Sequence, residues 1–182
     1  SLQELGYELF AEILDASDYG VPQRRQRVYI VGFRSSIVEP SKFKFPPPTT
    51  KEESSKIGIG QYLEKNVTDR SISKHLQSSY IHKLDDGRPE IVNSKTNTPV
   101  KTLVASYHKV QRLTGTFVAD GPTGLRLLTE TECKAIMGFP STFVVPVSRT
   151  QMYRQFGNSV AVPVVSLIAK EIKKVLVSNG IK

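Results

Sequence analysis

A run of three prolines divides this sequence into parts of different character. Pro46–Pro48 have a fixed φ and no backbone N–H, so the chain there is stiff and continues neither a helix nor an inner strand. The chain before the run, from Phe10 to Phe33, is rich in residues that favour strands, whereas a polar stretch follows it. The run therefore predicts a boundary between two lobes, with the change in character beginning at Pro40.

The segment before this boundary contains two predicted strands. Phe10–Leu14 is largely apolar, and Val28–Phe33 is a near-continuous β-branched and aromatic run suited to a buried strand. A polar loop with a turn at Gly20–Pro22 joins them. Leu2–Leu9 is predicted to be the end of a helix, broken at Gly6. We expect the two strands to form the edge of a larger sheet.

The rest of the chain predicts short, mixed elements. Helices are expected near Ile59–Lys65 and Ser71–Lys83, and strands over Val100–Tyr107 and Gly115–Ala119.

Two further helices are expected towards the C-terminus. Thr129 with Glu132 three residues later predicts a capping box, and Gly138 ends that helix. The last helix is predicted to begin at about Asn158 and Ser159. Its apolar residues lie at helical spacing: Val160, Val164, Leu167, Ile168, Ile172, Val175 and Leu176.

The charge of the chain favours a polyanionic partner. The 25 Lys and Arg residues exceed the 17 Asp and Glu residues, giving a net charge of +8. Nucleic acid is the first candidate and a membrane surface the second, while a basic protein whose charge binds nothing stays open. No apolar stretch is long enough to span a bilayer, so the chain is not expected to be a membrane protein. A single cysteine, Cys133, excludes a disulfide framework and a Cys-rich zinc site and fits a reducing cytoplasm; no metal site is expected.

Three arginines fall within four positions in Gln23–Arg27. Where the chain becomes extended, Arg25 and Arg27 point to the same face and therefore need anions or carbonyl oxygens nearby. Arginine suits phosphate groups and base edges, although a solvated or ion-paired loop is the simpler explanation of this segment taken alone.

Two other segments have simple structural explanations when taken alone. Gly157–Val160 predicts a loop followed by caps at a helix N-terminus, where free N–H groups favour polar or anionic ligands, and a plain cap explains it as well. Arg126–Pro140 predicts a capped amphipathic helix. Cys133 within it has no neighbouring His, which favours a small buried hydrophobe over a nucleophile.

In their order and spacing, these segments resemble the motifs of the bacterial cytosine-5 DNA methyltransferases. Asp18–Val28 resembles motif VIII, Arg126–Pro140 motif IX and Tyr153–Val160 motif X. Between motifs VIII and IX lies a variable stretch of the family's target-recognition length. Within it, Thr102-Leu103 resembles the Thr-Leu signature near the end of that region. The chain departs from the family at Thr131–Ala135, where Arg-Glu-Cys-Ala-Arg is common.

The resemblance implies an α/β fold. It would comprise the end of a Rossmann-like methyltransferase sheet, a small mixed, strand-rich target-recognition lobe, and a C-terminal helix that returns to the catalytic domain. The implied divisions are 1–40 for the end of the catalytic domain, 41–125 for target recognition, 126–146 for motif IX within the lobe, and 147–182 for motif X.

The resemblance also implies a reaction. In the family, a cysteine thiolate attacks a flipped-out cytosine, and the activated carbon takes a methyl group from S-adenosylmethionine. Arg27 would donate to the cytosine O2 and Arg25 would support that pocket. Asn158, Ser159 and Val160 would line the cofactor pocket. The residues expected to contact DNA are Arg24, Thr102, Ser106, Tyr107, His108, Lys109, Arg112 and Arg126. Those from Ser106 onwards that follow the Thr102-Leu103 signature, up to Arg112, are expected to include the base contacts, and Arg126 would also brace the lobe.

The family's Gly-rich cofactor loop, Pro-Cys nucleophile and Glu-Asn-Val acid are absent from this sequence. The chain is therefore expected to be inactive alone and to need an N-terminal catalytic half, in the same polypeptide or as a separate subunit. The start at Ser1, without Met, favours a fragment. A non-catalytic DNA-binding module is the alternative, and an RNA-directed member of the superfamily is a third. The expected substrate is duplex DNA, in restriction-modification, at the nucleoid in the bacterial cytoplasm.

Overall fold

Two hydrophobic clusters organise the residues that this computed structural model describes, which are 1–39, 43–49 and 57–181. The first cluster, here called the ribbon core, joins the N-terminal strands to the C-terminal helix. The second, here called the lobe core, is built from residues between Ile59 and Phe156. The fold is a mixed α/β arrangement.

A two-stranded antiparallel ribbon forms the N-terminal part. β1 (Tyr7–Asp15) pairs along its whole length with β2 (Gln26–Arg34), and a 3-10 turn at Ala16–Tyr19 follows β1. The predicted strands are thus confirmed. The predicted helix over Leu2–Leu9 is wrong, because β1 already begins at Tyr7, where pairing with β2 satisfies its backbone.

Only one face of the ribbon is buried. Val31 and Phe33 lie in the ribbon core, whereas Ile13, Val28 and Ile30 are 66%, 60% and 63% exposed on the opposite face. The expectation of a strand buried on both faces therefore does not hold within this chain. An apolar face of this kind is one that a second packed layer would cover.

The lobe contains short elements. α1 (Lys74–Leu76) continues into a π-helical turn at Gln77–Ile81, within the predicted second helix. β3 (Glu90–Val92) pairs in parallel with β4 (Thr116–Val118); the first was missed and the second was predicted. Near the predicted first helix there is a 3-10 turn at Ile59–Tyr62.

The predicted strand over Val100–Tyr107 is wrong. Val100 makes an isolated parallel bridge with Gln23, the following residues are irregular, and Tyr107–Lys109 forms a 3-10 turn. The apolar residues of this segment are buried by contact with other parts of the chain, and a strand partner is not needed.

α2 (Glu130–Met137) confirms the predicted capping box. The Thr129 side chain accepts from the Glu132 backbone, and the Glu132 side chain accepts from the Thr129 backbone. Gly138 ends the helix at φ 72°, and a Cβ at this position would lie 2.4 Å from Cδ of Pro163. Glycine is therefore needed here for two reasons, the left-handed backbone and the close approach of Pro163.

Two helices replace the single C-terminal helix that the sequence predicted. α3 (Arg149–Asn158) ends at Asn158, and α4 (Val162–Ser178) begins with Pro163 in its first turn. Asn158 and Ser159 therefore close one helix and do not cap the next. Pro163 has no backbone N–H. In the first turn this costs no helical hydrogen bond, because the N–H groups there have no partner within the helix.

The last two helices belong to different cores. Met152, Tyr153 and Phe156 of α3 lie in the lobe core, whereas Val164 and Ile168 of α4 lie in the ribbon core. The domain limits at 40, 125 and 146 stay predictions. Pro40 and Lys42, on either side of the first limit, lie outside the described residues. No helix in the described ranges is long and apolar enough to cross a bilayer.

Arg126 and Glu132 form a fully buried ion pair that fastens α2 to the lobe. The two guanidinium nitrogens donate to the two Glu132 oxygens at 2.9 and 2.8 Å, and Nε donates to Asp120 at 3.0 Å. Burial lowers the pKa of Arg126, but the carboxylates of Glu132 and Asp120 outweigh it and raise that pKa overall. Glu132 also accepts from the backbone of Glu64 at 2.8 Å.

We predict that Glu132→Gln, which keeps the shape and removes the charge, destabilises the chain by about 3 kcal/mol or more, because Arg126 stays buried without its main counter-charge. Glu130→Gln, at the solvent-accessible pair with Lys134 on the same helix, should cost less than about 1 kcal/mol. Urea unfolding of both variants measures the difference. Equal losses would show that burial of the pair does not matter.

Candidate functional site

The loop before β2 is fixed by one buried side chain. Gln23 is fully buried; its Nε2 donates to the carbonyl of Ile136 at 2.9 Å, and its Oε1 accepts from the N–H of Leu103 at 2.8 Å. Both the donor and the acceptor of the amide are therefore hydrogen-bonded to the lobe, the donor at the end of α2 and the acceptor on the 100–103 segment. Its contacts hold the lobe against the ribbon.

Backbone hydrogen bonds follow the same line. The Val100 N–H donates to Pro22 O at 2.9 Å, and the Arg24 N–H donates to Val100 O at 2.8 Å. The hydroxyl of Thr102 donates to Arg24 O at 2.7 Å. We call residues 22–25 the bracket, since each has a side-chain or backbone contact with the lobe.

Arg25 is buried among carbonyl oxygens. Its Nη1 donates to Leu103 O at 3.1 Å, and its Nη2 donates to Gly157 O at 3.0 Å and to Ser159 O at 2.6 Å. Its Nε has no partner among the described residues. Burial, and then the charge of Arg27, lower the pKa of Arg25 below its usual range. The carbonyls accept from both terminal nitrogens of the guanidinium but do not neutralise its charge. Arg25 thereby connects its own loop to Leu103 and to the end of α3.

Gly157 makes this connection possible. A Cβ there would lie 2.2 Å from the backbone N of Ala105 and 2.4 Å from the carbonyl carbon of Val104. Only glycine allows α3 to approach the 104–105 backbone this closely, and that approach brings Gly157 O and Leu103 O to the same guanidinium.

Arg27, by contrast, is exposed. It lies at the start of β2 opposite Leu14, and its Nη1 donates to Gln26 O at 2.7 Å. No carboxylate of the described residues forms an ion pair with it. The guanidinium is therefore held at the entrance of a strand with most of its donors available to a ligand.

Two of the three predicted cofactor residues, Asn158 and Ser159, border an open groove. The groove is lined by Gln151, Arg154, Gln155, Asn158 and Ser159.

Within this groove, the Asn158 amide is exposed and makes no hydrogen bond to the described residues. The Ser159 hydroxyl donates to Phe156 O at 2.9 Å, and Val160 is half exposed. A free amide and an apolar side chain fit a polar, partly apolar cofactor that is held from one side only, with the rest of its contacts to come from elsewhere.

Five of the predicted DNA-contacting side chains are exposed or partly exposed. Arg24 pairs with Glu90 at 3.2 Å, and Ser106 donates to Gln111 at 2.9 Å. Lys109 is exposed, and His108 is partly exposed with a buried Nδ1 that has no partner in the described part of the chain. Together with Thr102, which bonds to Arg24 of the bracket, these residues form the accessible part of the predicted DNA-contacting set.

The other three predicted DNA-contacting residues have structural partners. Arg112 is buried and donates to Asp86, to Ile81 O and to Leu84 O. The Tyr107 hydroxyl donates to a lobe carbonyl and accepts from a lobe N–H, and Arg126 forms the buried pair described above. The expectation that these three side chains contact DNA is therefore revised, because their polar groups are already engaged inside the lobe.

Sequence reasoning placed Cys133 correctly and missed two residues. Cys133 is fully buried, and burial raises the pKa of its thiol well above the usual value, as expected for an inert side chain. The role of Gln23 had no local signal, since its partners lie 80 and 113 positions away. The sequence also did not single out Arg154 of α3, which lines the groove together with Asn158 and Ser159. Within the described ranges, no group of His, Cys, Asp and Glu side chains is placed to hold a metal ion.

Comparison with known proteins agrees with this arrangement. Residues 1–174 match the family model of the C-5 cytosine-specific DNA methylases. The Type II methyltransferase M.MspI of Moraxella sp is 54% identical over 176 residues, which cover 97% of this chain and 40% of that protein. M.BsuFI of Bacillus subtilis is 55% identical over 174 residues, covering 96% and 42%. The chain thus spans about two fifths of the length of these relatives.

Solved structures share the fold. The Entamoeba histolytica methyltransferase EhMeth has a TM-score of 0.71 at 24% identity, over 97% of this chain and 56% of that one. A mutant of Spodoptera frugiperda DNMT2 has a TM-score of 0.72 at 22% identity, over 94% and 60%. Because the family model matches nearly the whole chain and curated relatives share more than half of its residues, the chain belongs to the C-5 cytosine-specific DNA methylase family.

Proposed function

We propose that this chain is the DNA-recognition and active-site-completing part of a DNA (cytosine-5)-methyltransferase of a restriction-modification system. The enzyme would transfer a methyl group from S-adenosylmethionine to a flipped cytosine in a specific duplex site. The observation that carries the proposal is the contrast between two arginines two positions apart. Arg25 is buried among carbonyls of the lobe, and Arg27 is exposed at the rigid start of β2.

Arg27 is proposed to hold the target base. Its planar fork matches an acceptor such as the cytosine O2, and a positive charge there favours the negative charge that develops on the ring during attack. A flipped base brings its own cost in lost stacking and pairing, which donors in the pocket help to offset. Arg25 is proposed to support this role indirectly, because its hydrogen bonds fix the backbone from which the Arg27 side chain extends.

Asn158, Ser159 and Val160 are proposed to bind the cofactor from one side. When bound, S-adenosylmethionine supplies the methyl group. The free Asn158 amide offers a donor and an acceptor to its polar groups, and the half-exposed Val160 offers apolar contact. The Ser159 carbonyl is bound by Arg25, so this site and the position of Arg27 depend on the same guanidinium.

DNA contacts are proposed for the accessible residues of the predicted set: Arg24, Thr102, Ser106, His108 and Lys109. Arg24 belongs to the bracket and Thr102 bonds to it, and the other three follow Thr102 in sequence. The buried Tyr107, Arg112 and Arg126 are proposed to support them from inside the lobe.

An N-terminal catalytic half is the proposed partner, in the same polypeptide or as a separate subunit. The exposed apolar face of Ile13, Val28 and Ile30 is a surface of the kind that a packed layer, such as helices of the catalytic half, would cover. A non-catalytic DNA-binding module would give Arg27 no cytosine to hold, whereas an RNA-directed enzyme would hold a cytosine of RNA. Supplying the part of M.MspI that this chain does not match, and assaying methyl transfer to duplex DNA, tests these alternatives.

We expect Arg27→Lys in the reassembled enzyme to lower single-turnover methylation about 10-fold to 100-fold, because one charge-assisted hydrogen bond to the base is worth about 1.5–3 kcal/mol. Duplex affinity should change little, and stability should stay within about 0.5 kcal/mol, since the side chain is exposed. Arg25→Lys is the matched control and should lower stability by about 2 kcal/mol or more. Full methylation by Arg27→Lys would refute the proposed base contact.

The outer ribbon face gives a second test. Ile30→Asp should leave the folded chain intact, because the side chain is already in solvent, yet it should abolish methyl transfer on addition of the N-terminal segment. Val177→Asp, on an exposed position of α4, is the control and should reconstitute normally. If Ile30→Asp reconstitutes as well as Val177→Asp, the ribbon face is not the interface.

A further inference from the structure

Two long stretches of this chain contain no acidic residue. Neither 91–119 nor 133–170 includes an Asp or a Glu, so the 17 carboxylates all lie elsewhere. Lys109 and Arg154, which lie well inside them, therefore have no neighbouring carboxylate in sequence. Such an uneven distribution of charge produces a surface that attracts anions.

The fold brings these two stretches together. Tyr107 and Tyr153 pack edge to face with ring centroids 5.1 Å apart, and Gly157 contacts the Ala105 backbone. Both contacts come from α3, on either side of Arg154. The 105–109 segment and α3 thus lie side by side in a fixed arrangement.

A groove runs between them and is lined by Ala105, Ser106, His108, Lys109 and Arg154. Arg154 and Lys109 are exposed, and neither forms an ion pair within the described part of the chain. Two permanent cations beside an imidazole, with no carboxylate in the groove, repel each other unless an anion lies between them.

We propose that Arg154, Lys109 and His108 bind the sugar–phosphate backbone of duplex DNA. This inference rests on the proposed function and adds Arg154 to it. It also changes the role of Lys109 and His108, from reading bases to binding phosphate. Arg154 extends from a helix that is fixed by Tyr153 and Gly157, so it presents its charge at a set position. Arg154 also borders the groove of Asn158 and Ser159, so the phosphate would lie next to the proposed cofactor residues.

The test is the salt dependence of duplex binding by the whole chain. Binding of a fluorescein-labelled duplex is measured by anisotropy between about 50 and 200 mM salt, where each phosphate contact contributes about −0.9 to the slope of log K against log salt. Arg154→Gln and Lys109→Gln should each reduce the slope by about 1, and the double variant by about 2, equally for duplexes of different sequence.

Lys173→Gln is the matched control, because Lys173 is an exposed cation on α4 and belongs to the ribbon side. It should leave the slope unchanged. Unchanged slopes for Arg154→Gln and Lys109→Gln, with normal binding by the wild-type chain, would overturn this inference and leave the proposed function standing. No duplex binding by the wild-type chain at low salt would overturn both. Tighter, equally residue-dependent binding of duplex RNA would overturn the assignment to DNA.

Discussion

The buried side chains of Gln23 and Arg25 are the interactions on which the rest of this structure depends. Both the donor and the acceptor of the Gln23 amide are hydrogen-bonded to the lobe, and Arg25 donates to three carbonyls from two separate segments. A buried guanidinium without a carboxylate is costly unless such acceptors surround it, so these carbonyls must stay where they are. The two side chains therefore fix the ribbon and the lobe relative to each other.

The same interactions divide the basic residues into two groups. Arg25, Arg112 and Arg126 are buried and engaged by carbonyls or carboxylates, and they hold the fold. Arg27 and Arg154 are exposed and unpaired among the described residues. The net charge of +8 counts both groups alike, although only the exposed side chains are available to a polyanion. This division is the physical basis of the roles proposed above.

Local patterns predicted local structure well. The capping box of Thr129 and Glu132 and the end of α2 at Gly138 both depend on residues near in sequence. The errors occurred where distant partners decided the outcome. The 100–103 backbone bonds to the bracket and does not form a strand, and the close approach of Gly138 to Pro163 helps to determine where α4 starts. Neither partner is visible in a sequence window.

The sequence by itself determined the family, through three motifs whose order and spacing span the chain, and it identified Arg25, Arg27 and Asn158 as a set. It did not distinguish the roles of these residues, because an arginine in a motif has the same letter whether it is buried or exposed. The tertiary structure made that distinction. Burial and distant carbonyls assign Arg25 to the fold and leave Arg27 available, and the packing of α3 against the 105–109 segment brings Arg154 beside Lys109. These outcomes depend on contacts between residues up to 134 positions apart, which only the folded chain brings together.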